Sequence, residues 1–270
     1  MNIHLLAESS PNPVLSAVMT ELGARHDVAV YDARTLPADY GRGTAADVVL
    51  LKSRTPQARR AARAAERAGS LVVNSPAATE AALDRAATAH ALERAGVPAP
   101  RTRSFAALRD LAADGAGLGW PLVMKSRTSS RRDLVRLVSS PAELRGLLPE
   151  WADEPVVAQE FAASDGFDIK VWVIGADLSA ARRRSALESV DKSADERLGV
   201  ADLPEDWTRT ARAAGAALGL QLYGVDLLIT DGAPVVVDVN PFPGFRGAHD
   251  PAESLLRFLS TLATPRTVAA

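Results

Sequence analysis

Short apolar runs alternate with helical periodicity along the first third of the chain. Residues 3–6, 28–31, 48–51 and 71–73 are brief apolar stretches bounded by polar residues or Gly, the pattern of strands in a covered sheet. Between the first two, Leu15, Val18, Met19 and Leu22 recur at helical spacing and predict a helix over 14–25. A second helix is predicted over 56–68, rich in Ala and Arg, with Gly69 as its C-cap. Strands alternating with helices predict parallel pairing and a small doubly wound unit. A dinucleotide site would need G-x-G-x-x-G after the first strand, where the chain reads Ala7-Glu8-Ser9-Ser10-Pro11-Asn12-Pro13. This unit is therefore expected to supply side chains rather than to grip a cofactor.

The pattern changes after Asn74. Ser75-Pro76 reads as an N-cap followed by Pro at the first helical position. Helical residues continue to Ala95 with a break at Leu83-Asp84-Arg85, and Gly96-Val97-Pro98-Ala99-Pro100 stops the run. A short helix over 106–112, a strand over 121–125, a polar hinge over 126–132, a strand over 134–138 and a helix from Ser140-Pro141 follow. The last portion is strand-rich, with runs at 156–160, 168–174, 178–184, 223–229 and 235–240. Gly175-Ala176-Asp177 and Thr230-Asp231-Gly232-Ala233 are turn-like and predict two antiparallel hairpins. Helices over 208–218 and 253–262 should cover one face. The expected fold class is α/β (α+β).

Composition narrows the chemistry. Lys plus Arg is 31 against 33 Asp plus Glu in 270 residues, a formal net charge of −2, which argues against a protein that binds mainly through nucleic-acid phosphates. The absence of cysteine removes disulfides, thiolate chemistry, zinc fingers and Cys-held iron–sulfur clusters. No run approaches the ~18 apolar residues of a membrane span, and no targeting segment is apparent, so a cytoplasmic location is expected.

The densest chemical signal is the segment from Val235 to Phe245. Residues two apart on a strand share a face, so Asp238 and Asn240 project together from the strand end, as hard oxygen donors of the kind Mg²⁺ accepts beside nucleotide phosphates. The partner run from Tyr223 to Ile229 carries a lone acid, Asp226, which a hairpin would set beside Asp238. Close buried carboxylates are plausible only with a cation between them. Taken alone, the same segment also reads as a strand ending in an Asp/Asn/Pro turn. Lys125 closes the apolar run 120–125 and suits a polyphosphate. Glu160 ends a strand where it could meet a base or ribose, and Asp168, Lys170 and Trp172 share a strand face by parity. Alternation puts Arg183 on the face opposite Arg182 and Arg184, so at least one of the three should look into a cleft.

In their order along the chain these residues resemble the ATP-grasp superfamily. The matching signature is Asp84-Arg85, Lys125, Gln159-Glu160-Phe161, Asp168-Ile169-Lys170, Arg183, Gly224-Val225-Asp226 and Asp238-Val239-Asn240-Pro241. Val72-Val73-Asn74-Ser75-Pro76 and the run from Leu92 to Pro98 are most similar to the RimK-like glutamate ligases. The resemblance implies an ATP-grasp fold with a Rossmann-like pre-ATP-grasp subdomain over 1–75, a central ATP-lid subdomain over 76–153 and a C-terminal antiparallel-sheet subdomain over 154–270. It implies ATP and Mg²⁺ as cofactors. Arg85 and Lys125 would contact phosphates, Gln159, Glu160 and Phe161 would hold adenine, and Asp168 would reach the ribose. Asp226, Asp238 and Asn240 would hold the metal, while Lys170 and Arg183 would neutralise the transferred phosphoryl group. Family members often carry Lys where Arg85 stands, and a glycine-rich flap in place of residues 126–132.

The implied reaction is amide formation between a small-molecule or peptide carboxylate and an amine such as an amino acid, through an acyl phosphate. Partners would exclude nucleic acid and membrane, and a homodimer is common among such enzymes. The segments 168–175 and 240–245 are also similar to inositol trisphosphate kinases of the same superfamily, so a kinase acting on a hydroxyl is the alternative, with a non-catalytic nucleotide-binding module as a third reading. The acceptor pocket is expected between the first subdomain and the metal end, with Lys52, Arg54, Arg246 and His249 as candidates to grip an acidic substrate.

Overall fold

A computed structural model describes residues 1–8, 12–41, 46–115, 117–130, 133–185 and 196–263. The chain folds around three sheets. The first holds β1 (Asn2–Ala7), β2 (Asp27–Asp32), β3 (Val48–Leu51) and β4 (Leu71–Val73) in the order β2-β1-β3-β4, all parallel. Its connections carry α1 (Pro13–Gly23) and α2 (Pro56–Arg67). The second starts where predicted and the first one residue earlier, and each has a side-chain cap followed by Pro: Asn12 Oδ1 accepts from Leu15 N at 3.0 Å and Thr55 Oγ1 from Ala58 N at 3.1 Å.

The predicted break at Leu83-Asp84-Arg85 separates α3 (Pro76–Leu83) from α4 (Arg85–Arg94). Asp84 causes it. Its extended backbone ends one helix while its carboxylate caps the next, accepting from Ala86 N and Ala87 N. The second sheet contains β5 (Thr102–Phe105), β6 (Leu122–Ser126), β7 (Val135–Val138) and β8 (Val156–Glu160) in the antiparallel order β5-β8-β6-β7, covered by α5 (Leu108–Asp114) and α6 (Pro141–Trp151). β5 was not predicted; Thr102-Arg103-Ser104-Phe105 is an edge strand without a continuous apolar face. β8, grouped by sequence with the strands after it, instead sits between β5 and β6.

The third sheet is antiparallel, with β9 (Phe167–Ile174), β10 (Asp177–Arg184), β11 (Glu196–Leu198), β12 (Leu222–Thr230) and β13 (Ala233–Pro241) in the order β11-β10-β9-β12-β13. Both predicted hairpins form, β9–β10 and β12–β13. α7 (Glu205–Leu218) packs on one face against Val171, Val173 and Val225, together with residues of α3 and α4. On the other face Trp172, Ile174, Leu222, Phe242 and Phe245 join Leu5, Leu50 and α1 of the first unit, and α8 (Pro251–Ala263) closes that core. A polar peg locks the same boundary. Asn74 is fully buried, donating to Leu222 O at 2.7 Å and accepting from Gln221 N and Leu222 N. Among the described residues no helix is long and apolar enough to cross a membrane.

Candidate active site

The second and third sheets face each other across a cleft of about 240 Å³. All of the sequence-predicted site residues line it except Lys170 and Asn240, which lie directly behind its acids. Strand register builds the acidic end. Lys170 on β9 stands opposite Asp226 on β12, and Asp226 stands opposite Asp238 on β13, so three charged side chains form one row across neighbouring strands.

Charge compensation holds that row together. Lys170 Nζ donates to Asp226 Oδ2 at 3.0 Å and lies 2.9 Å from Oδ1, while Arg183 Nη2 donates to Oδ1 at 2.6 Å. Lys170 and Asp226 expose only 7% and 14% of their side chains, so losing either partner would strand a buried charge. Gly224 makes the reach of Lys170 feasible, since a Cβ there would stand 2.9 Å from Lys170 Cε. Arg183 alone of its trio turns to Asp226; Arg182 stacks 3.7 Å over the Phe167 ring and pairs with Asp165, and Arg184 also lies over that ring. The alternation argument is borne out.

Asp238 accepts from Asn240 Nδ2 at 2.8 Å, which places the two side chains on one face as expected. Burial pushes the Asp238 carboxyl up, but Arg85, Lys125 and Lys170 around it, with the Asn240 bond, hold it below the ordinary carboxylate range. Lys125 is pushed down, chiefly by burial. Its Nζ donates to Gln159 Oε1 and to Val237 O, both at 2.8 Å. The second acceptor exists because the β12–β13 register slips by one residue after Asp226, leaving Val237 as a bulge. Gln159 is anchored further by donating to Thr102 Oγ1 of β5.

Arg85 enters from the start of α4, donates to Ser126 O at 2.7 Å and pairs with Asp133 at 2.7 Å. Arg85 Nε and Arg183 Nε are both buried without an acceptor among the described residues, and both side chains line the cleft. Each such N–H is an uncompensated cost of burial among the described residues, beside a cleft that both side chains line. Asp168 is buried on the cleft wall, and Phe161 stands half-exposed at its rim beside Glu160.

Asp226, Asp238 and Asn240 offer hard oxygens of the kind Mg²⁺ accepts. Asp226 is bonded to Lys170 and Arg183, however, and Asn240 to Asp238 and Arg54, so a metal there would replace some of these bonds. No third acid or histidine joins them among the described residues, so the amide would have to supply the third donor.

The polar hinge is anchored where it is described. Arg127 forms a two-pronged pair with Asp84, Ser129 N donates to Leu83 O, and Arg85 N donates to Arg127 O. Arg131 and Arg132 lie outside the described residues. A second cavity of about 670 Å³ opens between the first sheet and residues 128–130. Lys52 and Arg54 line it as predicted, whereas Arg246 and His249 are exposed on the loop after β13 and are absent from its wall. Glu8 and Asp133 carried no sequence signal that tied them to the site.

A family model described as the RimK-like ATP-grasp domain matches residues 82–253. The chain belongs to the RimK-like ATP-grasp family. It is an ATP-grasp ligase by that membership, as the resemblance implied. A probable alpha-L-glutamate ligase of Shewanella loihica is 32% identical over 214 residues, 74% of this chain and 70% of that protein. Among solved structures, a RimK-domain ATP-grasp protein of Sphaerobacter thermophilus superposes with a TM-score of 0.77 at 23% identity, covering 96% of this chain and 99% of the other. The ATP-grasp ligase PsnB, complexed with a phosphomimetic precursor variant, Mg and ADP, gives 0.72 at 19% identity, covering 98% and 99%. At these identities the structural likenesses speak for the ATP-grasp fold, and the three sheets agree with it.

Proposed function

We propose that this family member is an ATP- and Mg²⁺-dependent carboxylate–amine ligase that forms an amide through an acyl phosphate, with L-glutamate as one substrate. The observation that carries the reading is the convergence of Arg85, Lys125 and Arg183 with Asp168, Asp226 and Asp238 on one cleft between two sheets. The glutamate assignment draws on the relative named as a glutamate ligase.

In this reading ATP lies along the cleft. Gln159, Glu160 and Phe161 form its adenine end, Asp168 faces the ribose, and Lys125 and Arg85 meet the phosphates. Asp226, Asp238 and Asn240 would hold Mg²⁺, which when bound screens the repulsion between phosphate oxygens. Arg183, on the cleft, would stabilise charge on the group in transfer, and Lys170 would add its charge from its place on Asp226. A substrate carboxylate oxygen bonds to the γ-phosphorus, the bond to the β,γ-bridging oxygen breaks, and ADP leaves. The amine then bonds to the acyl carbon, phosphate leaves, and the ammonium proton passes to solvent. The protein's contribution is positioning and electrostatic stabilisation, with little proton transfer of its own.

The test follows ADP release and product mass with ATP, Mg²⁺, L-glutamate and a pool of peptide carboxylates. Glutamate-dependent ADP and an amide product are expected. Phosphate appearing on a hydroxyl would replace the ligase with a kinase, and nucleotide binding without turnover would reduce the protein to a binding module.

A further inference from the structure

Arg54 differs from other cations around the two cavities in how weakly its side chain is held: Lys125, which also meets neutral oxygens only, bonds them at 2.8 Å. Lys170 and Arg183 meet Asp226, Arg85 meets Asp133, and Arg59 meets Glu80. Arg54 makes no ion pair with any described residue. Its guanidinium touches two neutral oxygens, Ser129 Oγ and Asn240 Oδ1, each at 3.4 Å, the weak end of hydrogen-bond range. Its backbone, by contrast, is clamped from both sides. Arg54 N donates to Glu8 Oε1 at 2.9 Å, and Arg59 Nη1 donates to Arg54 O at 2.7 Å. The side chain thus springs from an anchored point in the wall of the 670 Å³ cavity and reaches Asn240, which bonds Asp238 of the acidic row.

A guanidinium so placed has strong donors to offer and little to lose by exchanging two long contacts for a forked pair with a carboxylate. We propose that Arg54 is the specificity-determining residue that binds a carboxylate of an acidic amino-acid substrate in this cavity. The proposal rests on the ligase reading for the reaction, and it adds the residue and the chemical group that the substrate presents. Ser129 and Asn240, which share the guanidinium, bring that carboxylate to the junction of the anchored hinge and the acidic row.

Calorimetric titration of L-glutamate into the full-length protein with ADP and Mg²⁺ tests it. Arg54→Ala is expected to weaken L-glutamate about 10- to 100-fold, the loss of a charge-assisted pair, with ADP affinity unchanged. Arg54→Lys should recover part of the loss. Should Arg54→Ala fail to fold, Arg54→Gln gives the same comparison. L-Glutamine identifies the carboxylate: weak binding to the wild type assigns the side-chain group, whereas wild-type binding equal to L-glutamate but lost in Arg54→Ala assigns the α-carboxylate. Unchanged L-glutamate affinity in the variants overturns the proposal, as does a wild type that binds ADP but not L-glutamate. In that last case, ADP release driven by other amino acids would still uphold the ligase reading.

Discussion

In the first sheet the strand interiors are Ile3, Leu5, Val49 and Leu50, all fully buried, and the buried ionisable side chain His4 sits between Tyr31 and Tyr40 with its Nδ1 2.9 Å from Tyr40 Oη. The third sheet shares a core with the first but buries Asp168 and Lys170 on a single strand and lines up Lys170, Asp226 and Asp238 across three. One sheet spends its interior on packing, which stabilises the fold without any ligand. The other keeps charges in a poorly solvated place, where even paired ions recover little of their desolvation cost.

Substitutions in the two sheets should therefore separate function from stability. The largest effect is expected from Asp238→Asn, which removes a carboxylate proposed to hold the metal and should lower turnover on the order of 10³-fold, with little change in thermal midpoint. A near-wild-type rate would remove Asp238 from the metal site. Leu50→Ala in the first sheet should do the converse, costing about 2–5 kcal/mol of stability in denaturant titrations while the activity of the folded fraction persists. Lys125→Ala deletes the donor shared by Gln159 and Val237 and should weaken ATP about 10- to 100-fold in equilibrium binding; an unaltered affinity would contradict its phosphate role.

The smallest effect concerns His4, whose imidazole is pushed below its ordinary value chiefly by burial. Below the unfolded value the unfolded chain takes up the proton more readily than the folded one. The contribution of neutral His4 to stability is thus complete above about pH 6.5 and declines as pH falls from there toward the folded value. Replacing His4 with Phe should flatten that acid-side decline in thermal denaturation profiles, and an unchanged slope would place its origin elsewhere.

The acidic row was legible only in part, because local rules gave the hairpin and the shared face but not its final register. A turn-like Thr230-Asp231-Gly232-Ala233 predicted the hairpin, and strand parity turned Asp238 and Asn240 the same way. The regular register from that turn would pair Asp226 with Val237, and only the bulge brings Asp238 opposite it. Parity also singled out Arg183 from its neighbours. The bulge at Val237, which frees a carbonyl for Lys125, left no local mark. Neither did the pairing of Arg85 with Asp133, since nothing in the sequence relates residues so far apart. No sequence pattern assigned Phe242 and Phe245 to the core. They prove to be buried wedges between the first and third sheets, held in left-handed backbone conformations at φ 41° and 57° and tied by Lys52 Nζ to Phe242 O.

Apolar periodicity, helix caps and turn residues, all local in the chain, determined the elements, the two hairpins and the faces on which the charged side chains lie. Which sheet β8 joins, where Arg54 is aimed, and which cations end up with an acid beside them were decided only by packing the three sheets together. Those outcomes depend on distances between residues remote in sequence, set by core packing and by the need to compensate each buried charge.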